Sequence, residues 1–576
     1  MHTMEKPVVW ALLLCFVAVV NGVQTTDLGQ NGASAGTTQP YRTAYHFQPL
    51  KNWMNDPNGP LYYKGVYHLF YQYNPYSAIW GNMTWGHSIS NDLVNWVHLE
   101  HALNPIEPYE LGGCFSGSIT MLPGGRPVIF YTGADTNNFQ SQNLAFPKDP
   151  SDPLLREWVK SPHNPVITAE DDIEPSDFRD PTTAWQAVDG TWQVLIGGKI
   201  DGRGMAYLYQ SNDFINWTRS EKIFHSSVKT GMWECPDFYP VSINGKDGVD
   251  NYLEKGNTKF VLKASFLDHD HYILGYYKAE TDGFQVEATD FMEANTDWRY
   301  DYGGKFYASK TFFDGGKKRR ILWAWIMEAD SRANDIKKGW SGLQSIPRAV
   351  WLSASGNQLM QWPVEEIESL RKDEVEIQDK ELKKGSLVEV VGITAAQADV
   401  EISFELPNLE DAEQMEPSWT DPQLLCAQKN AAVEGRLGPF GLLVLAFSNL
   451  TEETAIFFRV FKNHSRHIVL LCNDLSRSSL SRDVRKTTFG AFLDINPLQE
   501  SISLRTLIDH SIVESFGGGG KACITARVYP VLAVDKEAKL FAFNKGSHNI
   551  KISKLNAWSM KEAKILPIMK RRKPPV

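Results

Sequence analysis

Past its first twenty residues the sequence has no run of roughly 18 uninterrupted apolar residues, so no membrane-spanning helix is expected after the N-terminus. It also lacks a basic surplus. The net charge of −10 and the pI near 5.8 argue against nucleic acid as a partner, for which a basic face is expected. The run Lys570-Arg571-Arg572-Lys573 is too short to reverse this and reads as a solvated basic tail over residues 569–576. No Cys-x-x-Cys pair occurs, so no zinc site is expected. Helical periodicity is scarce before residue 362, which leaves an all-β reading of that half.

What is present points to the secretory route. Lys6 precedes an apolar stretch from Val8 to Val20, too short to span a bilayer, and polar residues follow Gly22. Residues 1–23 therefore read as a signal peptide, and residues 24–40, rich in Gly, Ser, Thr and Gln, as a flexible leader. The sequons at Asn82, Asn216, Asn449 and Asn463 suit the same compartment. Of the 6 cysteines, Cys15 leaves with the signal. The remaining odd number requires a free thiol or an intermolecular pair.

From residue 41 to 362 short aromatic and β-branched runs alternate with Gly, Asn, Asp and Pro turns, as in Val66-Tyr-His-Leu-Phe-Tyr71 and Arg320-Ile-Leu-Trp-Ala-Trp325. Ser90-Asn-Asp-Leu-Val-Asn-Trp96 returns 121 residues later as Ser211-Asn-Asp-Phe-Ile-Asn-Trp217. If that offset spans two units, each is about 60 residues and about five fit before Trp362, the repeat of a propeller of four-stranded sheets; chance likeness of two turns is the alternative. Residues 363–374 read as a helical linker, and the strand-like runs of 375–568 as a β-sandwich. Aromatic residues make up 12 %, with 18 Trp and 21 Tyr. That surplus suits stacking on sugars, although core packing accounts for most of it.

Three acidic clusters stand in the first half. Trp53-Met-Asn-Asp-Pro-Asn-Gly59 read alone is a turn. Phe178-Arg-Asp-Pro181 read alone is a structural Arg–Asp pair. In Met232-Trp-Glu-Cys-Pro-Asp237 a Glu between Trp and Cys suggests an apolar surrounding that raises its pKa, as a general acid requires, or else a partly buried Glu held by a neighbouring base.

In content, order and spacing the three clusters together resemble glycoside hydrolase family 32. So do Tyr71-Gln-Tyr-Asn-Pro75, Trp80-Gly-Asn82, Ser116-Gly-Ser118, Tyr302-Gly-Gly304, Phe306-Tyr-Ala-Ser309 and Gly339-Trp-Ser-Gly342. The likeness covers nearly the whole expected mature chain and is nearest to plant cell-wall invertases and fructan exohydrolases. It implies a five-bladed β-propeller over residues 41–362 followed by the β-sandwich. It also implies that Asp56 is the nucleophile, Glu234 the acid/base and Asp180 the transition-state stabiliser with Arg179 beside it. Asn55, Gln72, Trp80, Phe115 and Ser116, with Trp53, are implied to bind the fructosyl unit. Double displacement with retention places the two working carboxyls about 5–5.5 Å apart and needs no metal or organic cofactor. A disulfide between Cys426 and Cys472 is implied by the family, leaving Cys114, Cys235 and Cys523 free. Cys235 beside Glu234 is either an inert buried thiol or a tuner of that acid.

The resemblance also bears on substrate. Invertases of the cell wall carry an Asp-x-x-Lys couple after a Lys-x-Ser strand, and here the stretch reads Lys263-Ala-Ser-Phe-Leu-Asp-His-Asp-His-Tyr272, without it. That loss, and the acidic pI, imply a fructan exohydrolase, with β-2,6 linkages favoured over β-2,1 and sucrose hydrolysis as the alternative; a non-catalytic sugar-binding relative is a further one. Phe115 stands where the family has Trp, which widens the aromatic wall. Asp268 to His271 read as a solvated loop near the pocket mouth rather than a metal site. A monomer in the apoplast is expected, with the vacuole reachable by the same route.

Overall fold

The computed structural model describes residues 39–250, 257–278, 281–287, 291 and 298–567; the expected signal peptide, most of the leader and the basic tail lie outside them. Between Asn52 and Pro363 five antiparallel sheets, each with four principal strands, follow one another along the chain. They begin with Asn52–Tyr63, Gly113–Leu122, Phe178–Arg179, Glu234–Ser242 and Phe306–Asp314. Strands such as Val66–Asn74 are buried on both faces, which is why their sequences run apolar and aromatic rather than alternating.

The packing between sheets is cyclic. Phe70 and Trp85 of the first sheet pack with Ile129 and Tyr131 of the second. Phe130 and Leu144 of the second meet Val194 and Tyr207 of the third, and Leu195 and Leu208 of the third meet Phe238 and Leu262 of the fourth. Tyr239 and Val261 then meet Leu322 and Val350 of the fifth. Finally Phe312 and Trp323 of the fifth return to Met54 and Leu69 of the first. The parallel pairing of Trp340–Ser341 with Asn52 and Trp53 joins the same two ends.

The echoed heptads occupy the same place in the first and third sheets, between the third and fourth strands. In each, the Asp carboxylate accepts two backbone N–H groups, Val94 and Asn95 on Asp92, Ile215 and Asn216 on Asp213. In each, the middle residue, Leu93 or Phe214, adopts positive φ and its carbonyl accepts the closing Trp indole N–H. The repeat is thus one Asp-anchored turn used twice.

Beyond residue 370 two six-membered runs of strands face each other across an aliphatic core that includes Val400, Ile402, Leu442, Ile456 and Leu540. Cys426 and Cys472 form a disulfide on one side of it, and Cys114, Cys235 and Cys523 are free and buried. The linker differs from expectation: Glu365–Leu370 is a 3-10 turn, and the strand Arg371–Leu382 already begins inside residues 363–374. The two halves are also interlaced. Ile565–Leu566, placed by sequence in the sandwich, runs parallel to Trp96–Val97 in the first sheet. At the other end of the chain, the backbone N–H groups of Ala44, Tyr45 and His46 converge on the carboxylate of Asp509.

Candidate active site

Four of the five sheets open on a strand whose pairing slips after its first residues. The slips fall between Met54 and Pro57, Cys114 and Gly117, Glu234 and Asp237, and Tyr307 and Lys310. Such bulges re-aim side chains and leave backbone groups without ladder partners. The third sheet starts on a two-residue strand, Phe178–Arg179, followed by Asp180 at φ 68°. Positive φ is costly for a residue with a side chain, and it recurs at Cys235 (45°).

Side chains from neighbouring strands satisfy the orphaned backbone. Gln344 donates to the Asn55 carbonyl at 2.7 Å, Gln72 to Cys114 at 3.1 Å and the Trp85 indole to Phe115 at 2.9 Å. The carboxylate of Asp270 accepts the N–H groups of Ala308 and Ser309. Lys263 and Lys310 serve the Cys235 and Pro236 carbonyls.

These five strand starts surround one cavity of about 350 Å³. Asn55, Asp56, Gln72, Trp80, Phe115, Ser116, Arg179, Asp180 and Glu234 all line it. Trp53 does not; it stands behind the wall, its indole N–H donating to Asn55 Oδ1 at 2.8 Å. Asn55 in turn donates to Asp56 Oδ1 at 3.0 Å, and Ser116 Oγ to Asp56 Oδ2 at 2.6 Å. Asp180 accepts the Cys235 N–H at 2.8 Å, and the Cys235 thiol sits 3.4 Å from Asp56 Oδ2 and 3.5 Å from Asp180 Oδ2. At the mouth the rings of Trp80 and Phe115 meet edge-on at 5.9 Å.

At Glu234 the structure matches the second of the two sequence readings, a partly buried Glu held by a base. Its neighbours are polar: Arg179 Nη2 donates to one carboxylate oxygen at 2.8 Å and the Tyr307 hydroxyl to the other at 2.6 Å. Trp233 points away into the core with its indole N–H on Thr230. Arg179 therefore pairs with Glu234 rather than with its neighbour Asp180. The stretch Asp268 to His271 is likewise no solvated loop. Leu267 and Asp268, both at positive φ, form a two-residue hairpin turn, while Asp270 and His271 are buried in the strand His269–Lys278.

Electrostatically the carboxylates differ. Burial and the charge of Asp180 push Asp56 up to about 6, against the hydrogen bonds from Ser116 and Asn55. Burial also raises Asp180, with the Arg179 guanidinium opposing. Burial, then Asp180 and Asp56, hold Cys235 well above the usual thiol range, so it stays protonated as a weak donor between them. Burial and Glu234 raise Tyr307, keeping its hydroxyl a donor. Sequence reasoning passed over Tyr307, Asn138, Gln140, Ser176 and Trp325, which also line the cavity. Tyr307 lay within a matched motif, whereas Asn138, Gln140 and Ser176 lie on turns and a strand edge with no motif of their own.

Residues 46–363 match the glycosyl hydrolases family 32 N-terminal domain, and residues 366–559 the glycosyl hydrolases family 32 C terminal. The chain is 56 % identical over 553 residues to the insoluble beta-fructofuranosidase isoenzyme CWINV3 of Arabidopsis thaliana, covering 94 % of this chain and 93 % of that protein. It is 52 % identical over 533 residues to a fructan 6-exohydrolase of Beta vulgaris, covering 91 % and 88 %. The crystal structure of fructan 1-exohydrolase IIa from Cichorium intybus superposes with a TM-score of 0.91 at 53 % identity, over 93 % of this chain and 100 % of that one. The chain belongs to glycoside hydrolase family 32.

Proposed function

We propose that the protein is a fructan exohydrolase that releases terminal fructose, with β-2,6 linkages preferred, by double displacement. Asp56 attacks C2 of the terminal fructosyl unit while Glu234 gives a proton to the departing oxygen. The resulting fructosyl–Asp56 ester is then hydrolysed by water that Glu234 deprotonates, with net retention. Asp180, buried beside the nucleophile, holds the sugar hydroxyls and stabilises the developing positive charge. Arg179 and Tyr307 orient Glu234. Asn55, Gln72, Trp80, Phe115 and Ser116 complete the pocket, and Trp53 acts through Asn55. The five sheets are read as the blades of a five-bladed propeller, supported by their cyclic packing, and the following domain as a sandwich that braces it. Export to the cell wall is supported by the four sequon asparagines, all exposed, and by the cell-wall relatives.

One observation carries the fructan reading. The hairpin from Lys263 to His271 contributes no side chain to the cavity, because its turn is only two residues long and Asp270 is turned inward onto Ser265, Ala308 and Ser309. That edge of the cavity is left open to a further sugar. Sucrose hydrolysis is the second reading, favoured by the 56 % identity to a beta-fructofuranosidase. Initial rates on levan, inulin and sucrose with purified enzyme decide between them. Fructose release is expected from levan above inulin, with little from sucrose; rapid sucrose cleavage would reverse the order. Asp56→Ala is expected to lower every rate by more than about 10⁴-fold, and activity surviving that change would remove Asp56 from the mechanism.

A further inference from the structure

Two lysines lie beneath the acid cluster and touch no cavity surface. Lys263 is fully buried and Lys310 is 2 % exposed. Lysine is rarely buried this far unless paired. Yet among the described residues no carboxylate comes within 4 Å of Lys310 Nζ, and Lys263 has only Asp270, at 3.8 Å. Instead each ammonium donates to a backbone carbonyl, Lys263 to Cys235 at 2.7 Å and Lys310 to Pro236 at 2.9 Å. Those are consecutive carbonyls of the bulge that follows Glu234 and carries the strained Cys235.

We propose that Lys263 and Lys310 form a cationic floor that holds the Glu234–Asp237 bulge in shape beneath Asp180 and Glu234. The proposal rests on the catalytic reading of those acids. The lysines come from the fourth and fifth sheets, so two neighbouring strands clamp the segment from below. Facing them are Asp237, which accepts from Thr311, Asp270, which accepts from Ser265, the Cys235 thiol, and Asp180. Arg320 lies beyond Asp237, and Arg179 faces Asp180 from the cavity side. The Lys310 charge is among those that oppose the upward push on Asp180, and both lysines oppose it at Cys235. Burial disfavours the ammonium of Lys310 itself, while Asp237 favours it. A cation kept in this position therefore joins Arg179 in opposing the upward push on Asp180. Lys263 and Lys310 are positioning residues; neither reaches the substrate.

The test is the pH dependence of kcat/KM, on whichever fructoside the wild-type enzyme cleaves. In Lys310→Met the acid limb is expected to move to higher pH by about one unit. The plateau kcat is expected to fall at least about tenfold, with KM changed less than about threefold. Lys310→Gln keeps a donor for Pro236 without the charge, so it should show the displaced limb and recover most of the plateau. Lys263→Met should displace the limb in the same direction and carries the test if Lys310→Met does not fold. Lys259→Met, on the same strand but paired with Glu287 away from the cavity, should leave the limb in place. An acid limb unmoved in Lys310→Gln and Lys263→Met, or moved equally by Lys259→Met, overturns the proposal. If Asp56→Ala is meanwhile inactive, the catalytic reading stands without it; if Asp56→Ala is active, that reading fails first.

Discussion

Asp180 in the cavity is buried nearly as deeply as Asp509 and Glu514 at the seam between the two halves, yet its surroundings act on it in the opposite way. Asp180 is 3 % exposed in the cavity, and Asp509 and Glu514 are fully buried at the seam. In the cavity burial and like charge act together, and Asp56 and Asp180 are raised. At the seam burial also pushes upward, but His46 outweighs it at Asp509, and Arg348 with His46 outweighs it at Glu514, so both are lowered. His46 is raised in turn, because its bonds to Asp509 and Glu514 overcome its own burial. Burial alone therefore does not mark a working acid. What distinguishes the cavity is like charge close by, from Asp180 and Glu234 at Asp56 and from Glu234 at Asp180, which raises both at a cost in stability.

The sharpest way to break this contrast is at the seam. Arg348 donates to Glu514, Asp301, Thr525 and Gln361 with no exposed surface. Arg348→Met strips the guanidinium from two buried carboxylates, Asp301 and Glu514, and is expected to cost about 3–5 kcal/mol of stability. Below the transition kcat should be nearly unchanged, as measured by denaturant unfolding beside steady-state rates. A loss under about 1 kcal/mol would mean the seam is no better balanced than the cavity. Next comes the sandwich itself. Cys426 and Cys472 are separated by 46 residues in sequence. Replacing both with Ser should cost about 2–4 kcal/mol by freeing the unfolded chain. Kinetic constants should again hold, since the disulfide packs against Leu425 and Phe457 in the second half's own core. A fall in kcat there would tie the site to the sandwich more closely than the seam contacts do.

Much of the cavity was legible because its lining residues fall in short motifs at the strand starts. Asp56, Asp180 and Glu234 sit in strings that read singly as a turn, a structural pair or a buried acid, and only their joint content, order and spacing carried the family resemblance. The environment of each acid was less legible. Trp233 and Cys235 flank Glu234 in sequence, but a bulge sends them inward and turns the carboxylate outward to Arg179 and Tyr307, one from an earlier sheet and one from a later one. Asp270 and His271 looked solvated because two acids and two histidines in a row are polar; burial is settled by the backbone of Ala308 and Ser309, 38 residues and more away. The same holds for Ile565–Leu566 and Tyr41–His46, whose partners across the seam leave no local trace. Local pattern reveals strands and turns, whereas contacts between sheets decide which polar residues are desolvated.

The smallest effect is also the most direct probe of the cavity's cost. Asp56 stands at about 6 in the folded protein against an ordinary 3.8, so the native state binds its proton more tightly than the unfolded chain. Its contribution to stability is then full below about pH 4 and is lost as pH rises through 6. Asp509 and Glu514 at the seam run the other way, their contribution being present above their unfolded values and lost as pH falls, whereas Asp301 beside Arg348 is raised by burial like the cavity acids. Asp56→Asn removes the cavity charge at nearly constant shape. It should therefore be more stable than wild type at pH 7 by about 2 kcal/mol, at 1.36 kcal/mol per unit with a reduction for partial exposure. Near pH 4 the two should be nearly equal. Urea unfolding at both pH values measures the difference directly. A variant less stable at pH 7 would show that the hydrogen bonds from Ser116 and Asn55 outweigh the repulsion from Asp180, and the cavity would then resemble the seam.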